Sequence, residues 1–314
     1  MSGQRNIIPD TDPAMGVRKI ILDTDPALGV RLGTDIDDDL AIIMILASPE
    51  VELMGLTCTY GNSSIKRTYA HAKRLLHLAG RDDIPVKKGA GWMSRHIDRD
   101  TEASRFIAET IKRFPGEVTM VTIGPLTNLA AAIYHNPGLM DMVPELVMMG
   151  GRLNTGRGEF NFAAHPDASN LVLQTPVPKI IATMELCFQV AFTEKHLNEL
   201  EREPSLLIHP FLPAVRRWLK LNRLAISILA RKQKAMAKGG FYPWDPVGAA
   251  YLIDPSIFSR IIPIKIWLEK KKVMVSRDVA DLDERLQVRA PKRIDGQRFL
   301  RLLLDRIKKV KKKI

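Results

Sequence analysis

Residues 19–42 read K-I-I-L-D-T-D-P-A-L-G-V-R-L-G-T-D-I-D-D-D-L-A-I. The apolar run 20–22 ends in Asp23, Thr24 and Asp25 and is stopped by Pro26. A loop carrying Gly29 and Gly33 leads to Asp35, Asp37, Asp38 and Asp39, which open the apolar segment 40–46. The physical reading is strand, loop and helix. A buried parallel strand delivers Asp23 and Asp25 to its carboxyl edge, where open α/β sheets bind ligands. Asp37 and Asp38 fall in the first turn of the next helix, which favours negative charge. A helix cap needs one aspartate, whereas six carboxylates crowd this segment. Like charges so close repel unless a cation holds them, and a carboxylate set without Cys or His suits a hard ion such as Ca²⁺ or Mg²⁺.

The rest of the chain alternates strand and helix. Strands are expected at 51–60, 84–88, 118–123, 145–149 and 179–184, and helices at 64–79, 101–114, 126–134 and 167–174. That alternation predicts an α/β fold, a mainly parallel, Rossmann-like open sheet flanked by helices, with its site at the C-terminal edge of the strands. Residues 206–238 read as mostly helical, and 246–252 continue as a helix opened by Trp244 and Asp245. Late strands at 260–267, 273–276 and 285–289 read as an antiparallel addition, and 295–309 as a closing helix. No linker divides the chain, so 18–307 reads as one domain between an arm, 1–17, and a basic tail, 308–314. The arm carries a near-repeat: residues 5–17 match 18–30, but Pro9 stands where Leu22 does in the second copy. Proline lacks the N–H a central strand needs, so the second copy is the one expected in the sheet, and Asp10 and Asp12 are a decoy. Residues 89–100 and 201–240 lie where lids over the active edge would.

A hydrophobic content of 46% over 314 residues supports a sizeable core and excludes wholesale disorder. Cys58 and Cys187 lie in apolar runs and read as buried thiols of a reducing compartment. No apolar run reaches transmembrane length and no signal-type segment is evident, so a cytoplasmic protein without membrane contact is expected. The net charge of +12 gathers at 216–238, 270–272 and 308–313. No aromatic-basic platform accompanies it, so nucleic acid is not the expected partner.

Polar residues come just after several of the expected strands. Asp23 and Asp25 follow the first, Asn62 the second, Thr127 and Asn128 the segment Gly124-Pro125-Leu126, and Glu159 and Asn161 the strand ending at Gly150-Gly151. Asp245 opens a late helix. Each has a bland reading as a turn or capping residue, but parallel strands would bring all of them to one rim.

These residues carry a resemblance. I-I-L-D-T-D-P, D-I-D-D, T-C-T-Y-G-N, G-P-L-T-N-L-A, G-E-F-N-F-A-A-H-P-D-A and W-D-P-V-G-A-A-Y-L-I-D-P, in that order, resemble the blocks of the nucleoside hydrolases, inosine-uridine preferring. The resemblance implies Ca²⁺-dependent hydrolysis of the N-glycosidic bond of ribonucleosides in a homodimer or homotetramer. Asp25 would ligate Ca²⁺ and act as general base on its water. Asp38 and Asp245 would be further ligands, Thr127 would give its carbonyl, and Asp23 would support them. Asp37, Asn62, Glu159 and Asn161 would hold the ribose hydroxyls, with Asn154 as a further contact.

The chain also departs from the family pattern. Ala27 and Asp39 replace the usual Gly and small residue, and Trp244 stands where many members have a histidine acid. An indole cannot protonate a leaving base but can stack on a purine, as in the purine-preferring branch, with Trp92 a candidate for the opposite face. Among the remaining histidines, His165 reads as packing or capping, and His96 and His209 as lid residues. Two rivals fit parts of the pattern: a Mg²⁺ phosphohydrolase of the haloacid dehalogenase type, which leaves D-I-D-D unexplained, and a non-catalytic ribose-binding member.

Overall fold

The computed structural model describes residues 16–28, 36–94, 96–229 and 240–312, residues 94 and 221–229 by backbone alone. The first half of the chain forms β1 (Arg18–Thr24), α1 (Asp37–Leu46), β2 (Val51–Cys58), α2 (Ile65–Leu78), β3 (Val86–Lys88), α3 (Glu102–Arg113), β4 (Val118–Thr122), α4 (Thr127–His135), β5 (Leu146–Met149) and β6 (Gly156–Arg157). The second half forms α5 (Phe160–Ala163), α6 (Pro166–Leu173), β7 (Lys179–Ala182), α7 (Met184–Cys187), β8 (Phe192–Thr193), α8 (Glu194–Glu201), α9 (Leu212–Leu229), β9 (Gly240–Phe241), α10 (Trp244–Ile253), β10 (Phe258–Glu269), β11 (Lys272–Ser276), β12 (Val288–Ile294) and α11 (Gly296–Lys309).

Ten strands join one sheet in the order β3-β2-β1-β4-β5-β7-β12-β10-β11-β6. From β3 to β12 every pairing is parallel. β1 is central, and its side chains divide between two cores. Ile20 and Leu22 pack on the face of α1, α10 and α11; Ile21 packs on the face of α3 and α4. Period-2 alternation with both faces apolar is what a strand covered by helices on both sides requires. The chain runs outward from β1 through β2 to β3, then returns to β4 on the other side of β1. This reversal of strand order opens a crevice beyond the carboxyl ends of β1 and β4.

α1 and α10 are buried on all sides, α1 packed between the sheet, α10 and α11. α3 is a surface helix, closed at its start by Thr101 and Ser104. The Ser104 N–H donates to Thr101 Oγ1 at 3.1 Å, and the Thr101 N–H donates to Ser104 Oγ at 2.8 Å.

The late part of the chain departs from the reading of its sequence. β10, β11 and β6 are antiparallel additions, but β12 pairs parallel with β7. β12 also begins later than expected. Asp283 accepts the Arg285 N–H at 2.8 Å and caps a short 3₁₀ turn over Glu284–Leu286, which delays the strand. The expected helix from residue 206 starts as α9 at Leu212, because Pro210 and Pro213 confine it to beginning after a 3₁₀ turn. Residues 310–312 lie along 205–207, with the Lys312 N–H donating to the Ser205 carbonyl at 2.9 Å. The first copy of the repeat with Asp10 and Asp12, residue Asp35, and residues 230–239 of the basic helical stretch lie outside the described residues. Among the described residues no helix is long and apolar enough to cross a membrane.

Candidate active site

The crevice at the reversal of strand order holds a cavity of about 590 Å³. Asp25, Asp37, Asp38 and Asp245 line its floor, each at most 5% exposed. They arrive from three segments. β1 ends just before Asp25, the first turn of α1 carries Asp37 and Asp38, and the first turn of α10 carries Asp245. One carboxylate oxygen from each of Asp37, Asp38 and Asp245 lies within 4.8 Å of the others. A buried set of hard oxygen donors at that spacing fits a divalent cation of the Ca²⁺ or Mg²⁺ kind.

Hydrogen bonds fix the floor. Asp38 Oδ1 accepts from the Thr24 hydroxyl at 2.5 Å and from the Asp25 N–H at 3.0 Å. Its Oδ2 accepts from the Asn62 side-chain amide at 2.7 Å. Asn62 also donates its backbone N–H to Asp25 Oδ2 at 2.6 Å, so it ties Asp25 to Asp38. Asp37 Oδ2 accepts the Asp245 N–H at 3.1 Å, joining residues 208 apart in sequence. Asp39 faces away from the cavity. It takes the Leu28 N–H at 3.2 Å and meets His71 Nε2 at 2.5 Å, pinning the loop after β1 to α2.

Asp23 lies below the floor. Its Oδ1 accepts from the Thr57 hydroxyl at 2.6 Å and the Asn128 amide at 2.8 Å. Burial pushes its carboxyl up to about 7, against those two bonds. It locks β2 and α4 to β1.

The remaining wall comes from the segment after β5. Glu159 caps α5, accepting the N–H groups of Asn161 at 2.6 Å, Gly151 at 3.0 Å and Phe162 at 3.4 Å. Burial outweighs these bonds and pushes its carboxyl up to about 7. The Asn161 amide donates to the carbonyls of Ile123 at 2.9 Å and Met149 at 3.2 Å, the ends of β4 and β5. Trp244 and Trp92 both line the cavity. Trp244 is braced edge-on by Phe188 at 5.0 Å, and Trp92 by Tyr60 at 5.2 Å.

The cavity thus gathers Asp25, Asp37, Asp38, Asn62, Glu159, Asn161, Trp244 and Asp245. Two of the residues singled out in the sequence stand apart. Thr127 is not among the lining residues; its hydroxyl lies 3.1 Å from that of Thr59, and Ile123 takes the place on the wall. Asn154 is exposed and outside the lining. His165 caps α6, taking the Ala168 N–H at 3.1 Å, and among the described residues no histidine lines the cavity. Sequence reading missed Ile123, whose carbonyl accepts the Asn161 amide and so leaves no side-chain signal. It also missed Arg152, Arg157 and Lys271 on the wall, although two of these sit in plain sight between Gly151 and Glu159.

A family model described as inosine-uridine preferring nucleoside hydrolase matches residues 20–301. The chain belongs to that family. The match includes D-I-D-D, so the phosphohydrolase reading falls away, and the chain is a nucleoside hydrolase. It is 28% identical over 257 residues to uridine nucleosidase 1 of Arabidopsis thaliana, covering 71% of this chain and 73% of that protein. It is 26% identical to the pyrimidine-specific ribonucleoside hydrolase RihA of Shigella boydii, covering 87% of this chain and 95% of that one. Among solved structures, a plant nucleoside hydrolase, the PpNRh1 enzyme, superposes with a TM-score of 0.78 at 25% identity, covering 92% of this chain and 98% of that one.

Proposed function

We propose that this nucleoside hydrolase cleaves the N-glycosidic bond of ribonucleosides, giving ribose and free base, with Ca²⁺ at the carboxylate floor and Asp25 as general base. The observation that carries the reading is the gathering of Asp25, Asp37, Asp38 and Asp245 in one cavity at the carboxyl edge of the sheet, with Asp37, Asp38 and Asp245 within 4.8 Å of one another. Asp25, Asp38 and Asp245 would hold the ion, and the backbone carbonyl is assigned to Ile123 rather than Thr127 because Ile123 lines the cavity. When bound, Ca²⁺ offsets the mutual repulsion of the floor and lowers the pKa of a water it holds. The protein's own groups do the rest. Asp25 accepts the proton of the attacking water. Asp37, Asn62, Glu159 and Asn161 grip the ribose hydroxyls and favour the positive charge that develops at C1′ as the base leaves.

Trp244 is the residue for the base. With no described histidine on the wall, stacking on the indole rather than proton donation from an imidazole is what the cavity offers a leaving base, which favours purines. The two buried cysteines suit a reducing cytoplasm, and the family resemblance suits a homodimer or homotetramer.

Base release from inosine, uridine and a nitrophenyl riboside, each with and without chelator, tests the reading. Turnover is expected for inosine and should vanish with chelator and return on adding Ca²⁺. Trp244→Ala should lower inosine turnover at least tenfold more than that of the nitrophenyl riboside, whose leaving group needs no help. Metal-independent turnover, or none at all with Ca²⁺, would remove the proposal; an equal loss on every substrate would leave Trp244 a packing residue.

A further inference from the structure

Asp39 is the carboxylate of the acidic run that the floor does not use. This chain sets a fully buried aspartate where the family pattern has a small residue. Its oxygens are taken by the Leu28 N–H at 3.2 Å and by His71 Nε2 at 2.5 Å. The second contact orients the imidazole. With Nε2 turned to Asp39, Nδ1 is the nitrogen left over. His71 is only 5% exposed, yet its Nδ1 has no hydrogen-bond partner among the described residues. A polar atom on a buried side chain is costly to leave unmet.

His71 lines a second cavity, of about 180 Å³, between α2 and the start of α9. This cavity shares no lining residue with the one above the acidic floor. Its charged lining is cationic. Arg74 follows His71 by three residues on α2, so the two lie on one helix face. Arg217 comes from α9. The Phe211 ring meets His71 edge-on at 5.7 Å, and the Arg74 guanidinium lies 5.7 Å over the same ring. Neither arginine forms an ion pair or a side-chain hydrogen bond with a described residue. No carboxylate lines the cavity. α2 carries no acidic residue, and Glu194 and Glu201 of α8 are engaged by Arg216, the neighbour of Arg217. Burial and the Arg74 charge work against a positive imidazole, but the Asp39 carboxylate prevails and raises the His71 pKa above its ordinary value. The buried aspartate thereby favours the imidazolium, whose Nδ1 is a donor.

We propose that this cavity binds a phosphate dianion, free or at the end of a small phosphomonoester, through His71 Nδ1, Arg74 and Arg217. An anion is required because positive groups from two helices face one space with no negative group among them. Phosphate suits them better than a carboxylate does. Arginine supplies paired N–H donors, and a tetrahedral ion has oxygens enough for two guanidinium groups and an imidazole at once. Bound there, the ion ties α9 to α2 and, through His71 and Asp39, to the loop after β1. The site stands whether or not the acidic cavity hydrolyses nucleosides.

Calorimetric titration of the full chain, loaded with Ca²⁺ and freed of excess metal, tests this with inorganic phosphate, glycerol 3-phosphate and acetate. Inorganic phosphate should bind at least tenfold tighter than acetate. Glycerol 3-phosphate binding as tightly as inorganic phosphate would assign the site to monoesters, and weaker binding would assign it to the free ion; both support the proposal. Arg74→Ala and Arg217→Ala, at exposed side chains, should each weaken phosphate at least tenfold. Lys66→Ala and Lys220→Ala remove exposed charge outside the lining and should change its affinity less than twofold. Affinity that survives the two arginine substitutions would put the ion elsewhere, at the Ca²⁺ included, and would overturn the proposal. So would acetate bound as tightly as phosphate, or an equal loss in Lys66→Ala, which would mark a general positive surface of the kind that meets nucleic acid.

Discussion

Asp25 sits in a space that two glycines leave open. A Cβ on Gly61 would lie 2.1 Å from its Oδ2, and one on Gly124 would lie 2.5 Å from its Oδ1. Both are closer than any Cβ approaches an oxygen, so the carboxylate would have to turn away. Gly61→Ala is therefore expected to lower kcat about a hundredfold with far-ultraviolet circular dichroism unchanged, since a misplacement of roughly 1 Å is enough for such a loss. Asp25→Asn keeps the shape and removes the base, and its loss should be larger, about a thousandfold or more. If Gly61→Ala turned over normally, Asp25 would not need its present position and the assignment of the base would be wrong. The carboxylates themselves were legible in the sequence because nothing structural explains so many of them together. The glycines were legible only as turn residues. Their clearance around Asp25 depends on β2 and β4 flanking β1, which is a fact of pairing and not of local pattern.

At the scale of elements, β7 is fastened by a residue whose pattern gave no hint of it. Lys179 reads as the charged start of a strand, yet it is fully buried. Its ammonium donates to the carbonyls of Thr175 at 2.6 Å, Val177 at 3.0 Å and Arg285 at 2.7 Å. Burial pushes its pKa down to about 8, against the nearby charge of Asp283. The bonds join the turn after α6 to the segment that feeds β12, so they set the one parallel pairing among the late strands. Lys179→Met keeps the volume and leaves three carbonyls unmet. At about 1 kcal/mol or more for each lost bond, less the relief of uncovering no charge, urea unfolding should show a loss of about 3 kcal/mol. An unchanged midpoint would mean that the burial penalty cancels the bonds. The parallel core from β1 to β7 was readable because each strand is an apolar run closed by glycine or a polar residue. The order of β10, β11 and β12 was not, because antiparallel additions and a parallel return share the same alternation.

For the molecule as a whole, the acidic floor of one cavity is assembled from distant parts of the chain. Polar residues after successive strands pointed to that convergence. Arg157 and Lys271 reach the same cavity because β6 pairs with β11 at the end of the sheet, a long-range pairing that local pattern does not show. Burial of a carboxyl in this cavity ties stability to pH. Glu159 lies on the wall at 9% exposure, its carboxyl raised from 4.5 to about 7 by burial. The folded chain therefore holds this proton more tightly than the unfolded chain does. Below about pH 4.5 that preference contributes its full stabilisation, and it is lost as pH rises through 7, a fall of about 3 kcal/mol at most. Glu159→Gln cannot titrate. In chelated protein its unfolding free energy should be lower near pH 4.5, since an amide cannot accept all three backbone N–H groups, and should decline less between pH 4.5 and 7. Asp23, also raised to about 7, pulls the same way in both proteins and cancels in the difference. A Glu159→Gln curve parallel to that of the wild type would show that the carboxylate, with Arg152 nearby and three N–H groups on its oxygens, is already ionised at low pH in the folded chain. Adding Ca²⁺ should then raise the melting temperature of both proteins, because an ion held between β1, α1 and α10 binds only when residues 25, 38 and 245 are brought together.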